Sequence, residues 1–100
     1  MHNMDNLKKL PQLSKHAKAT TDAFWAYNEQ VMSDGAIPIK YKELIALGVA
    51  LTTQCSYCLE LHKSAAQKAG ATQEEIAETI HVAAALRAGA AITHGTHLLT

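Results

Sequence analysis

Two cysteines and a histidine at close spacing are the residues of this chain whose types and positions could do chemistry. Cys55 and Cys58 form a C-x-x-C pair, and His62 follows four residues after the second cysteine. On a helix, residues three and four apart lie on the same face, so the three side chains would project together. Two thiols and a base on one face could carry out thiol–disulfide chemistry. We therefore take this face as the candidate active site.

The identity of the reactive thiol depends on what favours ionisation, because a cysteine attacks as its thiolate. Cys55 lies where one predicted helix gives way to the next, and the N–H groups of the new helix would stabilise a thiolate there. Cys58 has His62 one turn away, close enough to accept its proton. The two arguments favour different cysteines, so the spacing alone leaves the choice open.

The spacing of the pair suits a redox cycle. A thiol that reduces a peroxide becomes a sulfenic acid, and a second thiol three residues away can condense with it to give a disulfide. An external dithiol would then restore the pair by exchange. A disulfide at this spacing closes a loop too small to constrain the unfolded chain much, so stability is not its expected purpose.

Glu43 is an isolated carboxylate, the only charged residue between Lys42 and Glu60. It stands at the start of an apolar segment, where a carboxylate must be paired, hydrogen-bonded or protonated. A helical hairpin could bring it beside His62, where it would orient the imidazole and take part in proton transfer. Glu43 is thus the fourth candidate site residue.

Apolar spacing together with helix start and stop signals predicts an all-α protein of four to six helices. Ser14 is the expected N-cap of the first long helix, Gly70 ends the third, and Thr72 with Glu75 forms a capping box before the fourth. We expect residues 1–13 to form an N-terminal arm or short helix and residues 14–100 to form one helical domain. The predicted helices span 15–33, 39–53, 58–68, 73–87 and, after a break or a kink at Gly89, 90–99.

Charge and composition exclude several classes of partner. Nine basic and nine acidic residues give a formal net charge of zero, which provides no electrostatic surface for nucleic acid or an anionic membrane. No run of eighteen apolar residues exists to span a bilayer, and the N-terminal residues lack the apolar core of a signal peptide. We expect a cytoplasmic protein.

Two segments, 44–51 and 82–92, are apolar around most of a helix. A helix that is apolar all round is expected to be buried all round. A chain of 100 residues can hardly cover two such helices, and an apolar surface left bare normally marks an interface. The sequence therefore predicts a homo-oligomer that assembles through apolar helices.

The pattern E-x11-C-x-x-C-x3-H, filled by Glu43, Cys55, Cys58 and His62, resembles the alkylhydroperoxidase D-like branch of the carboxymuconolactone decarboxylase family. The segments KELIALGVAL and AGATQEEIAETI are similar to that branch as well, and the resemblance covers about residues 38–95. It implies an all-helical bundle that forms trimers or hexamers and reduces hydroperoxides. It implies no bound cofactor and an external dithiol reductant, such as a lipoyl- or thioredoxin-type protein.

The resemblance also implies roles for the individual residues. Cys58 would be the thiol that attacks the peroxide, and Cys55 would be the resolving thiol that faces the reductant. Glu43 and His62 would form the proton relay. The best-known member of the branch has a relay histidine between its cysteines, where this chain has Tyr57, whose hydroxyl can donate a hydrogen bond. Tyr57 and, on the fourth predicted helix, His81 are further candidates for the relay or the pocket.

The sequence is compatible with two other functions. In one, the chain is a non-enzymatic helical assembly module that binds metal at Cys55, Cys58 and His62, although a closed structural zinc site needs a fourth ligand. In the other, the chain is a related enzyme that acts on a different small molecule.

Overall fold

The computed structural model describes residues 3–100, and the regular structure within that range is helical throughout. Short 3₁₀ helices at Met4–Lys9 and Thr96–Leu98 flank five α-helices. The predicted all-α fold is confirmed. The α-helices are α1 (Leu10–His16), α2 (Lys18–Val31), α3 (Ile39–Thr53), α4 (Ser56–Lys68) and α5 (Gln73–Gly95).

The described residues separate into two compact units, one ending at Ile39 and the other formed by Lys40–Thr100. The predicted arm falls in the first unit, and its residues 1 and 2 lie outside the described residues. The domain boundary between residues 13 and 14 stays a prediction. No helix formed by residues 3–100 combines the length and hydropathy needed to cross a bilayer.

In the first unit, the prediction of one long helix starting after Ser14 is wrong. The chain leaves helical geometry at Ala17, which has φ −145° and separates α1 from α2. Helix α1 starts earlier than predicted because Pro11 falls in its first turn, where a missing N–H leaves no bond unmade. Helices α1 and α2 then pack together, with Thr21 buried and its hydroxyl donating to the Leu13 carbonyl at 3.4 Å.

In the second unit, α3 has the predicted bounds but not the predicted burial. Glu43, Leu47 and Ala50 are buried, and their spacing places them on one face. Ile45 and Val49 are 54% and 55% exposed. The expectation that α3 is buried all round is therefore wrong for the single chain, because a unit of this size covers one face of the helix only.

Helices α3 and α4 end in the same way. Gln54 has φ 56°, and the Cys55 N–H donates to the Ala50 carbonyl at 3.0 Å. After α4, Gly70 has φ 94°, and the N–H of the next residue closes the equivalent bond to Ala66 at 2.9 Å. This left-handed closure reverses the chain within two residues. Helix α4 therefore begins at Ser56, two residues before its predicted start.

Helix α5 begins at the predicted capping box but does not break where predicted. The Thr72 hydroxyl accepts from the Glu75 N–H at 3.1 Å, and the Glu75 carboxylate accepts from the Thr72 N–H at 2.9 Å. Of the break or kink predicted at Gly89, the break is wrong, since α5 continues to Gly95. One interior glycine costs about 1 kcal/mol of helix stability, too little to end a helix flanked by strong helix formers such as alanine.

Three places where α3 and α5 approach each other follow the same order in both helices. Lys40 Nζ lies 3.0 Å from Glu75 Oε2 near both N-termini, and Arg87 on α5 donates to the Thr52 carbonyl at the end of α3. Between them, a Cβ added at Gly48 would lie 3.8 Å from Thr79 Cγ2. The two helices therefore run parallel, and α4 connects the end of α3 to the start of α5.

An open groove of about 680 Å³ runs between α3 and α5. Its walls are mostly apolar, with hydroxyl and carboxylate groups from Thr52, Thr79, Glu75 and Glu78 among them. The apolar side chains that line it include Leu44, Ile45, Val49, Val82 and Leu86.

Candidate active site

The cysteine pair lies where α3 gives way to α4. Cys55 is the N-cap of α4, and Cys58 lies in the first turn. The two are joined by a disulfide with Cα atoms 5.3 Å apart, within the range that unstrained disulfides adopt. The Cys58 N–H donates to Cys55 Sγ at 3.2 Å. The sulfur of Cys55 thus takes the place that a serine or aspartate oxygen takes in an ordinary N-cap.

Glu43 and His62 form the second part of the site. Glu43 Oε1 lies 2.6 Å from His62 Nδ1, so the carboxylate and the imidazole meet as the sequence predicts. The Glu43 side chain is only 7% exposed, and that of His62 is 27% exposed. Glu43 reaches His62 because it shares the buried face of α3 with Leu47 and Ala50. The contact therefore joins α3 to α4 one turn beyond Cys58.

The contact also fixes which imidazole nitrogen is available for chemistry. An ionised carboxylate can only accept hydrogen bonds, so the proton between Glu43 and His62 belongs to Nδ1. In the neutral imidazole the lone pair then resides on Nε2. His62 is thereby prepared to accept a proton at the nitrogen that points away from Glu43.

The remaining predicted site residues are Tyr57 and His81. Tyr57 is half-buried in the first turn of α4, between the two cysteines. His81 is an exposed residue of α5 and is not among the residues that line the groove. Their roles in a relay or a pocket stay predictions.

Two residues near the pair were missed by sequence reasoning. Arg87 touches the end of α3, and it is the only Lys, Arg, Asp or Glu after Glu78. That isolation is the signal that singled out Glu43, and it could have singled out Arg87. Gln54 holds a positive φ that nothing in its residue type announces, since glycine or asparagine usually occupies such a position.

Metal binding would need donors that the disulfide form does not offer. Among residues 3–100, no three His, Cys, Asp or Glu side chains converge on a point that could hold a metal ion. Within the cluster of Cys55, Cys58 and His62, both sulfurs are bonded to each other. A metal site there would require the reduced pair.

The second unit is thus a small all-α structure with a disulfide-forming C-x-x-C at a helix N-terminus, one turn before the contact between the buried Glu43 and the half-buried His62. Comparison with known proteins gives the family. The chain belongs to the carboxymuconolactone decarboxylase family, whose profile matches residues 18–100.

Similar proteins support this assignment in sequence and structure. "Uncharacterized protein 4 in cox locus" of Paracoccus denitrificans is 44% identical over 90 residues, which cover 90% of this chain and 81% of the relative. The crystal structure of an apo carboxymuconolactone decarboxylase family protein from Legionella pneumophila has a TM-score of 0.77 and 32% identity, covering 82% of this chain and 73% of that one. A protein from Methanobacterium thermoautotrophicum has a TM-score of 0.76 and 30% identity, covering 82% and 94%.

Proposed function

We propose that this protein is a thiol-dependent peroxidase of the alkylhydroperoxidase D-like branch, which reduces hydroperoxides through Cys55 and Cys58. The observation that carries the proposal is the 2.6 Å contact between the buried Glu43 carboxylate and His62 Nδ1. It supplies an oriented base one helical turn from a cysteine pair that is close enough to form a disulfide. An oriented base and two adjacent thiols are the parts that such a cycle needs.

The first half of the cycle reduces the peroxide. His62 Nε2 accepts the proton of the Cys58 thiol, and Glu43 stabilises the resulting imidazolium. The thiolate attacks one peroxide oxygen, the O–O bond breaks, and the alkoxide that leaves takes the proton from His62. Sulfur loses two electrons and the peroxide gains them, so the products are an alcohol and the Cys58 sulfenic acid.

The second half restores the dithiol. Cys55 attacks the sulfur of the sulfenic acid, an S–S bond forms, and water leaves with the Cys55 proton. The Cys58 N–H that donates to Cys55 Sγ would stabilise the attacking thiolate of Cys55. An external dithiol then exchanges with the disulfide, gives up two electrons and two protons, and becomes a disulfide itself. We propose a lipoyl- or thioredoxin-type protein for this step.

The division of labour between the two cysteines rests on two considerations. Cys58 shares α4 with His62 at a spacing of four residues, which suits proton transfer. Cys55, as the N-cap, suits the resolving role because its thiolate is stabilised without a base. The resemblance to the family assigns the same roles. A reducing compartment such as the cytoplasm would keep the pair available for this cycle.

The test measures peroxide consumption with a panel of dithiol reductants, comparing wild-type protein with Cys58→Ser and Cys55→Ser. Each substitution should abolish turnover, and only Cys55→Ser should leave a sulfenic acid that dimedone traps. Catalytic peroxide consumption by Cys58→Ser would show that the roles are assigned wrongly.

Two other results would replace the proposal. Wild-type protein that consumes no hydroperoxide with any reductant would favour a family enzyme acting on another small molecule. Stoichiometric zinc retained at the cysteines in reduced protein, purified without chelator, would favour the metal-binding assembly module.

A further inference from the structure

Arg87 makes a contact that the proposed chemistry does not use. Its guanidinium on α5 donates from Nη1 to the carbonyl oxygen of Thr52, 35 residues earlier in the chain. Thr52 belongs to the last turn of α3, where carbonyls have no partner within the helix. A cation at this end also interacts favourably with the negative end of the helix dipole. Arg87 therefore stabilises the C-terminus of α3 from a neighbouring helix.

The end of α3 in turn holds Cys55 through the backbone. The Cys55 N–H donates to the Ala50 carbonyl at 3.0 Å, and the Cys55 carbonyl accepts from the Leu59 N–H at 3.1 Å. Gln54, directly before Cys55, has φ 56°, which a residue with a side chain holds only when its surroundings impose it. The position of Cys55 thus depends on the last turn of α3, and the Arg87 hydrogen bond to the Thr52 carbonyl connects that turn to α5.

We propose that Arg87 is a positioning residue for the Cys55–Cys58 pair. By holding the Thr52 carbonyl, it keeps residues 53–55 in the conformation that brings Cys55 Sγ onto the first turn of α4. Without this tie, the turn would sample other conformations in the dithiol form, and the two thiols would meet less often. The disulfide would then be easier to reduce. This inference rests on the dithiol–disulfide cycle of the proposed function.

The test is a redox equilibrium with glutathione, in which the protein disulfide and two glutathione thiols give the protein dithiol and glutathione disulfide. Arg87→Ala should shift the equilibrium constant about tenfold toward the dithiol, which corresponds to a reduction potential about 30 mV less negative. Arg87→Lys keeps a cation that can donate to Thr52 and should restore most of the wild-type value. The fractions of dithiol and disulfide are measured by alkylation and mass spectrometry.

Lys40→Ala is the matched control, because it removes another polar contact between α3 and α5. Lys40 Nζ binds Glu75 Oε2 at 3.0 Å near the opposite end of both helices, away from the pair. Lys40→Ala and Arg87→Ala should both lower resistance to denaturant, but Lys40→Ala should leave the redox equilibrium unchanged. An equal redox shift in both variants would show general loosening and overturn the proposal, as would an unchanged equilibrium in Arg87→Ala.

A replacement variant and a readout that does not depend on peroxide allow the positioning role to be tested in every case. If Arg87→Ala does not fold, Arg87→Gln replaces it, since a shorter neutral side chain also gives up the guanidinium contact, and the same comparison with Lys40→Ala applies. The equilibrium needs no peroxide, so a protein without peroxidase activity would defeat the proposed function and leave this result standing. A peroxidase whose equilibrium ignores Arg87 would defeat only the positioning role.

Discussion

Glu43 combines near-complete burial with a short polar contact to His62. Its side chain is 7% exposed, and His62 Nδ1 lies 2.6 Å from its carboxylate. Desolvating a carboxylate costs several kcal/mol, and a buried ion pair seldom stabilises a fold more than an apolar pair of the same volume would. Stability is thus a weak reason for placing Glu43 here, and proton transfer is a stronger one.

Glu43→Gln should therefore lower peroxide turnover while the protein stays folded. The amide keeps the shape of the side chain but cannot stabilise an imidazolium, so we expect a loss in kcat of about 100-fold, at the lower end of what general acid–base catalysis contributes. Steady-state kinetics with an organic hydroperoxide measure it. Glu60→Gln, which alters an exposed carboxylate on α4, is the control. Equal turnover in Glu43→Gln and wild type would remove Glu43 from the relay.

At the scale of the elements, helix ends determine the geometry of the site. The end of α3 is closed by a left-handed Gln54, and the end of α4 is closed by a left-handed Gly70. The start of α5 is closed by the capping box, whose Glu75 also binds Lys40. Each closure can be tested by itself, because each depends on a different residue.

Gln54→Gly should stabilise the protein by about 0.5–1 kcal/mol, because glycine adopts positive φ without the steric penalty that a Cβ incurs. Gly70→Ala is the reciprocal change and should destabilise by about 1 kcal/mol. A Cβ at Gly70 would meet no atom within 4 Å, so its penalty arises from the backbone alone. Denaturant unfolding of oxidised protein measures both. A Gln54→Gly variant less stable than wild type would show that the Gln54 side chain makes an essential contact.

Acid should weaken the capping box. The Thr72 N–H, and after it Lys40, hold the pKa of Glu75 below its ordinary value of 4.5. A carboxyl with a lowered pKa stabilises the folded state fully above its unfolded pKa, and this contribution is lost as the pH falls through the folded pKa. The difference in unfolding free energy between wild type and Glu75→Gln should thus be constant near neutrality and shrink below about pH 4.5.

Thermal unfolding at a series of pH values measures this difference. Glu74→Gln, which changes a neighbouring first-turn carboxylate and leaves the cap intact, is the control. A difference that widens on acidification would contradict the assignment of Glu75 to the cap.

At the scale of the whole molecule, exposed apolar side chains indicate an interface. Ile45 and Val49 on α3 and Leu86 on α5 line the groove and are 54%, 55% and 69% exposed. On a helix that advances 100° per residue, Ile45 lies opposite Glu43, so the groove face of α3 and the face that carries Glu43 point apart. We propose that α3 and α5 assemble copies of this chain into a homo-oligomer, a trimer or a hexamer.

Val49→Glu and Leu86→Glu should each dissociate that oligomer, because a carboxylate buried in an apolar interface has no partner. Light scattering coupled to size-exclusion chromatography would then give the mass of one chain for the variants and a multiple of it for wild type. Lys63→Glu, which reverses a charge at an exposed position of α4, should leave the mass unchanged. A wild-type mass of 10.8 kDa would rule out the assembly.

Features of this protein that depend on side-chain types could be predicted from the sequence, and features that depend on the backbone could not. Side-chain types at helical spacing predict three features: the bounds of α3, the Thr72–Glu75 capping box and the contact between Glu43 and His62. The start of α1, the continuity of α5 through Gly89 and the conformation of Gln54 were missed, because there small backbone preferences compete and neighbouring contacts decide. Arg87 was missed because its partner is a backbone carbonyl, which no residue type marks.

The unequal lengths of the parallel helices have a consequence for backbone dynamics. Helix α5 has 23 residues and α3 has 15, so residues 88–95 extend about 12 Å past the Arg87 contact, with Ile92 74% exposed. In a single chain, fraying would start at the C-terminus and pass Gly89 but stop at Arg87. Amide protons of residues 88–95 should then exchange rapidly with deuterium unless a second copy covers them. Their exchange would report assembly, while exchange in residues 76–86 would report folding.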